Sequence, residues 1–217
     1  MNLLKLLVFD CDGVLFDSKL SNINFYNYIL KKIGRPPLTL EEIEFIHMHS
    51  VDECMEYILR NYPEKLELAK KIQKETSYQL FFKYITLEKG LIDFLNWAKK
   101  YFYLAICTNR TTSAYSLLEY FNLKNYFDFV MTASLVPKND PLALLIILEH
   151  FKVEREATLY IGDSKVDKDL CDKCKVKLVS YKNPNLLADF YIKNYKELKK
   201  LIEENFEFHP LKKSKFY

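Results

Sequence analysis

The sequence predicts an α/β fold: a parallel sheet with helices on both faces, plus an inserted all-helical domain. Three observations carry that expectation. Short apolar runs of strand length alternate with helical patterns from residue 88 to residue 181, and one more such run stands at 3–9. Residues 18–84 have helical periodicity and no strand-like run. The conspicuous polar residues Asp10, Thr108 and Asp163 fall at or just past the ends of apolar runs, where parallel sheets bind ligands.

The run at 3–9 has Lys5 as its only charge and reads as a buried strand. Helical patterns follow at 20–33, 41–48, 51–59 and 64–82. Gly34-Arg35-Pro36-Pro37 breaks the first from the second, and Thr39 with Glu42 and Ser50 with Glu53 have capping-box spacing. Further strands are expected at 103–108, 127–132, 158–162 and 176–181. The helices between them are expected at 88–100, 111–121, 140–151 and 164–175, the third opened by Asp140 as N-cap with Pro141 behind it. The organisation is therefore a Rossmann-like core of residues 1–17 and 85–217 around a helical insertion, 18–84.

A chain of 217 residues can bury a full core and still carry a small second domain. With 49% hydrophobic residues it is not a disordered chain. The net charge of +3 is dispersed, and only Lys212-Lys213-Ser214-Lys215 is locally basic, so no nucleic-acid partner is expected. The longest apolar run, 142–148, is too short to span a bilayer, and the N-terminus lacks a signal-peptide pattern, so no membrane partner and a cytoplasmic location are expected. Five cysteines fit reduced thiols. Cys171 and Cys174 read as helix packing, and Trp97 and the Tyr-rich faces of the insertion read the same way. Cys11 and Cys107 adjoin candidate site residues, so sensitivity to oxidation or alkylation is expected of them.

Asp10-Cys11-Asp12-Gly13-Val14-Leu15 places two carboxylates one residue apart where a strand gives way to a turn, so both can converge on one pocket. Two buried acids need a cation, a shared proton or a metal-bound phosphate. Taken alone, the stretch fits equally well a βα loop in which an Asp caps a helix and Gly13 supplies a positive φ. Ile106-Cys107-Thr108-Asn109-Arg110 ends a strand before a helix, a place that holds anions, although Thr108 or Thr111 also serves as a plain N-cap there. Lys138 stands in a loop before a helix, where a lysine is commonly solvated. Gly162-Asp163-Ser164-Lys165-Val166-Asp167 puts two acids one helical turn apart; a cap at Ser164 explains Asp167 but not Asp163.

Together these segments, in this order, resemble the four motifs of the haloacid dehalogenase (HAD) superfamily of phosphotransferases. Asp10 to Leu15 resembles the first, Thr108 matches the second, Lys138 the third, and Asp163 with Asp167 the fourth. The chain departs from the pattern at Arg110, where many relatives with a Thr-Asn pair have Lys, and at Asn139, where related sequences often have Pro. The insertion resembles the type 1 helical cap, and the whole resembles the phosphoglycolate phosphatase-like branch over nearly all of residues 1–205.

The resemblance implies a Mg²⁺-dependent phosphatase of a small phosphorylated metabolite, monomeric or homodimeric. Asp10, the backbone carbonyl of Asp12 and Asp163 would hold the metal, with Asp167 supporting them. Asp10 would attack phosphorus, Asp12 would act as acid and then base, and Thr108 and Lys138 would stabilise the phosphoryl oxygens. Asn109, Arg110 and Lys138 would contact substrate, as would His47, whose neighbours His49 and Ser50 and whose counterpart Arg35 share its setting. Gly13 to Ser18 would be the hinge of the cap. Asp12 argues against dehalogenation, which needs no acid at that position. A phosphomutase of the β-phosphoglucomutase type, a phosphonate-cleaving enzyme using Lys31 or Lys32, and a non-catalytic regulator stand as alternatives.

Overall fold

The computed structural model describes residues 2–46 and 51–211; His47, His49, Ser50 and the basic stretch 212–215 lie outside them. The chain divides into two compact units, Met1–Phe16 with Leu87–Tyr217, and Asp17–Thr86. The apolar run at 3–9 forms two strands, β1 (Asn2–Leu3) and β2 (Leu6–Phe9), instead of one. Between them Leu4 N–H donates to Glu207 and Lys5 N–H to Ala157, so the two halves join different sheets. A short strand β3 (Phe16–Asp17) follows the loop after β2.

The second unit is helical: α1 (Lys19–Lys32), α2 (Leu40–Ile46), α3 (Val51–Ile58) and α4 (Leu66–Glu75), with 3₁₀ turns at Pro63–Lys65 and Tyr78–Tyr84. The one helix expected over 64–82 ends at Thr76, which is extended at φ −88° and ψ 117°. Its hydroxyl donates to Ile72 O at 2.6 Å, the kind of local bond through which threonine competes with helix continuation. Phe25, Tyr26, Ile29, Leu30, Met55 and Ile58 belong to this unit's core. The ring of Phe25 packs edge-on to Tyr78 and Phe81, so the aromatic faces are packing, as expected. Lys31 and Lys32 are exposed, which denies the phosphonate-cleaving alternative a desolvated amine there.

Glu42 organises the start of α2. Thr39 N–H donates to its carboxylate at 2.9 Å and Glu42 N–H returns a bond to the Thr39 hydroxyl, the capping box expected from spacing. The same buried carboxylate pairs with Arg35 and, at 3.3 Å, with Arg60. Burial works to raise the Glu42 pKa, but the Arg35, Thr39 and Arg60 bonds outweigh it and hold the group below its ordinary 4.5. A depressed folded pKa contributes stability that is complete above the unfolded value and lost as pH falls through the folded one. Acid unfolding of Glu42→Gln, followed by circular dichroism, is therefore expected to depend less on pH below about 4.5 than that of the unaltered protein; an unchanged profile would remove Glu42 from the account of stability.

Strand β4 (Thr86–Leu87) lies where the chain passes back into the first unit, and it pairs with β3. The first unit continues through α5 (Leu91–Ala98), β5 (Tyr103–Thr108), α6 (Ser113–Tyr120), β6 (Phe129–Thr132), α7 (Leu142–Phe151), β7 (Thr158–Gly162) and α8 (Lys165–Cys174). It ends with β8 (Lys177–Tyr181), β9 (Phe190–Ile192), α9 (Tyr195–Asn205) and β10 (Phe206–Glu207), the last paired with β1. The main sheet has six strands in the order β6-β5-β2-β7-β8-β9, all parallel, so the expected α/β class is met. Neither β9 nor α9 was expected from the sequence pattern. Strand β6 starts two residues later than expected because Asp128 exchanges bonds with Leu104, its N–H donating to Leu104 O and its carboxylate accepting from Leu104 N–H.

Alternation along the strands fills two layers. Leu6, Val8, Ala105, Cys107 and Tyr160 face the side packed by α7 and α8, where Cys171 and Cys174 sit in the core as expected. On the other side Phe9 meets Phe94 of α5, and Tyr181 meets Tyr195 of α9. The chain runs outward from β2 to β5 and β6, then crosses back to β7 and runs outward to β8 and β9. The order therefore reverses at β2, which makes the carboxyl end of β2 the binding crevice.

The loop leaving β2 is stitched down in three places. Gly13 N–H donates to Phe16 O, Glu88 N–H donates to Leu15 O, and the buried Tyr195 hydroxyl donates to Val14 O at 2.7 Å. Tyr195→Phe removes the last of these and leaves a buried carbonyl short of a donor. A loss of about 1–2 kcal/mol in urea unfolding is expected, and an unchanged midpoint would show that the bond is dispensable.

Candidate active site

Register puts the site together. Phe9 is level with Ile106 on one neighbour and Ile161 on the other, so Asp10, one residue on, emerges between the ends of β5 and β7. Asp10 Oδ1 accepts the Cys11 N–H at 2.7 Å and lies 2.8 Å from Lys138 Nζ. The same ammonium is 2.6 Å from Asp167 Oδ1. All three side chains are buried. Lys138 thus leaves the solvated-loop category: its loop is folded inward, and Asn109 Oδ1 accepts the Lys138 backbone N–H at 3.0 Å.

Asp167 is saturated with donors. Besides Lys138, Tyr160 OH reaches Oδ1 at 2.9 Å, and Oδ2 accepts from the Ser164 hydroxyl, Ser164 N–H and Asp163 N–H. It is also the third residue of a capping box with Ser164 at the start of α8, so the cap and the charged cluster share one carboxylate. Burial acts to raise its pKa, yet Lys138 and these hydrogen bonds prevail and hold it low. Asp10 moves the other way: burial outweighs the Lys138 ammonium and pushes it well up. Burial, with Asp167 nearby, pushes Asp163 up to about 7.

Among the described residues, Lys138 bridges two of three clustered acids, Asp10 and Asp167, so the cluster has more carboxylates than this ammonium neutralises. Oxygens of Asp10, Asp163 and Asp167 all lie within 4.8 Å of one another. An oxygen-only donor set of this kind fits a hard divalent cation, which would let Asp10 and Asp163 ionise together.

Two glycines make the space. Gly13 has φ +75°, and a Cβ there would lie 1.9 Å from Asp163 Oδ2. A Cβ on Gly162 would lie 2.6 Å from the Asp167 Cβ. The backbone of Asp163 is fixed from the loop just past the carboxyl end of β8, where the Asn183 amide donates to its carbonyl at 2.8 Å.

Thr108 is buried at the end of β5, and its hydroxyl accepts the Arg110 N–H at 3.1 Å. Asp12 pairs with Arg110. Arg110 Nε donates to Asp12 Oδ2 at 2.8 Å and its terminal nitrogen to Oδ1 at 2.6 Å, a bidentate pair. Asn109 and Arg110, both expected to face substrate, are therefore engaged with Lys138 and Asp12 respectively. Among the expected contacts from the insertion, His47 lies outside the described residues, and Arg35 is bound to Glu42 and Ile58 O. Cys11 and Cys107 are fully buried, and burial pushes the Cys107 thiol up to about 12 and Cys11 up as well, a setting that disfavours the thiolate which the expected oxidation and alkylation sensitivity requires.

Sequence reasoning missed Tyr160 and Asn183. Tyr160 carried a readable signal, since a hydroxyl in a wholly buried strand must find a partner, and it takes Cys107 O and Asp167. Asn183 lies in a loop whose path only the sheet order explains.

Residues 7–181 match the family described as haloacid dehalogenase-like hydrolase. Among curated proteins, the chain is 27% identical over 174 residues to phosphoglycolate phosphatase 1 of Pseudomonas aeruginosa, covering 75% of this chain and 64% of that one. It is 24% identical over 173 residues to phosphoglycolate phosphatase of Pseudomonas putida, with the same coverage. The chain thus spans just under two thirds of the length of these two relatives. A subfamily IA, variant 1 hydrolase of the same superfamily from Geobacter sulfurreducens has a solved structure that is 34% identical, with a TM-score of 0.81 over 92% of this chain and 96% of that one. A haloacid dehalogenase-like protein from Streptococcus pneumoniae, 19% identical, shares the fold at a TM-score of 0.82. With the family matched over most of its length and a subfamily IA relative nearly coextensive with it, this chain belongs to the haloacid dehalogenase-like hydrolases.

Proposed function

We propose that this protein is a metal-dependent phosphatase of a small phosphomonoester, phosphoglycolate or a metabolite like it, acting through an aspartyl phosphate on Asp10. The observation that carries the reading is the Asp10 carboxylate held against Lys138 at the carboxyl end of β2, with Asp163 beside it. The names of the curated relatives support the substrate class. The helical unit is assigned the role of the family's cap, the source of substrate selectivity.

Asp10 is the nucleophile: its oxygen forms a bond to phosphorus as the bond from phosphorus to the leaving oxygen breaks. Asp12 supplies the proton that this departing alkoxide needs. In the second half, Asp12 takes a proton from water, the hydroxide oxygen bonds to phosphorus, and the Asp10 carboxylate and inorganic phosphate are released. Lys138 keeps its charge throughout, since Asp10 and Asp167 flank it and its pKa is raised despite burial. It and Thr108 stabilise the equatorial phosphoryl oxygens. Asp10, the Asp12 backbone carbonyl and Asp163 would hold Mg²⁺, with Asp167 supporting them, and the bound ion would supply charge against the phosphate.

Asp10→Asn is expected to lower turnover of p-nitrophenyl phosphate at least about a thousandfold while leaving the fold intact. Chelation should silence the unaltered protein, and Mg²⁺ should restore it. Turnover that survives both treatments would contradict the proposal.

A further inference from the structure

Arg110 occupies a position built to hold it still. Its N–H donates to the Thr108 hydroxyl, and its carbonyl accepts from Ala133 N–H, which pins the backbone between the ends of β5 and β6. From there the guanidinium reaches across to the loop after β2 and grips both oxygens of Asp12, while its remaining nitrogen lies 3.4 Å from the Ser113 hydroxyl. The Arg110 side chain is nine-tenths buried, whereas Asp12 is more than a third exposed. A carboxyl group gripped on both oxygens by a rigid planar fork is restricted in the plane it can adopt.

Resting on the phosphatase reading above, we propose that Arg110 is a positioning residue for the general acid: it fixes the plane of the Asp12 carboxylate so that one oxygen faces the leaving group, and it does not bind substrate. A lysine at this position would offer a single point of contact and leave the carboxylate free to rotate. The two roles separate by leaving group. Departure of an alkoxide needs the Asp12 proton, and departure of p-nitrophenolate, a stable anion, scarcely does.

The test measures kcat/KM for an alkyl phosphate, such as phosphoglycolate, and for p-nitrophenyl phosphate, in the unaltered protein, Arg110→Lys and Arg110→Ala. The expected result for Arg110→Ala is a fall of roughly tenfold to a hundredfold with the alkyl ester and a much smaller fall with the aryl ester, with Arg110→Lys intermediate. An equal loss on both esters in Arg110→Lys, the variant that keeps the charge and so the fold, would mean that Arg110 acts in binding or folding and would overturn the assignment. No loss, or a gain, on the alkyl ester would overturn it too. Failure of the unaltered protein to turn over either ester would overturn the phosphatase reading itself and this assignment with it.

Discussion

The Lys138 ammonium, 2.8 Å from Asp10 and 2.6 Å from Asp167, is the contact around which the first unit's chemistry is arranged. A buried lysine or a buried aspartate alone would neutralise itself by shifting its pKa. Placed together, Lys138 and Asp167 hold each other charged, because the other lone pairs of Asp167 are taken by Tyr160, Ser164 and Asp163. The result divides three acids by role. Asp167 is a fixed anion that pins the ammonium, while Asp10 and Asp163 are left with raised pKa values that a divalent cation would reverse. Removing the charge of Lys138 or of Asp167 strands its partner in a buried setting, so those two stand or fall together.

The fold supplies what this contact requires. A parallel sheet whose strand order reverses at β2 brings the ends of β2, β5 and β7 side by side, so three loops distant in sequence open on one crevice. Gly13 and Gly162 keep the backbone close enough for Asp163 and Asp167 to occupy the space their side chains would fill. Asn109, on the loop after β5, draws the Lys138 backbone in by one hydrogen bond, so the loop that carries the ammonium is placed by its neighbour. Each of these is a constraint on position, and their sum is a rigid constellation of the kind that stabilises developing charge without reorganising.

Much of this was legible in the sequence because it depends on local pattern. Apolar runs ending in Asp10, Thr108 and Asp163 mark strand ends, and strand ends of a parallel sheet meet at one edge whatever the loops do. Partner choice was not legible, because it is decided across strands. Arg110 reads as a substrate contact in the sequence, and only the adjacency of β2 and β5 reveals that Asp12 is also within its reach. The bond from the Lys138 backbone to Asn109 is likewise invisible in the sequence, because it joins two loops. Strand β9 is only three residues long with mixed burial, Phe190 and Ile192 inward and Tyr191 exposed, which is too short for a periodic signal. The break at Thr76 escaped because apolar spacing persists through the 3₁₀ turn at Tyr78–Tyr84, where Phe81 and Phe82 are buried.

The account's central claim, that Asp10 takes the phosphoryl group, is tested most directly by trapping it there. In Asp12→Asn, phosphorylation by p-nitrophenyl phosphate needs no strong acid, and hydrolysis of the intermediate lacks its base, so the covalent species should accumulate. Acid quenching during turnover, followed by peptide mapping by mass spectrometry, is predicted to find a hydroxylamine-labile phosphate on Asp10. Release of p-nitrophenol with no phosphate on Asp10, or with phosphate on another residue, would contradict the claim.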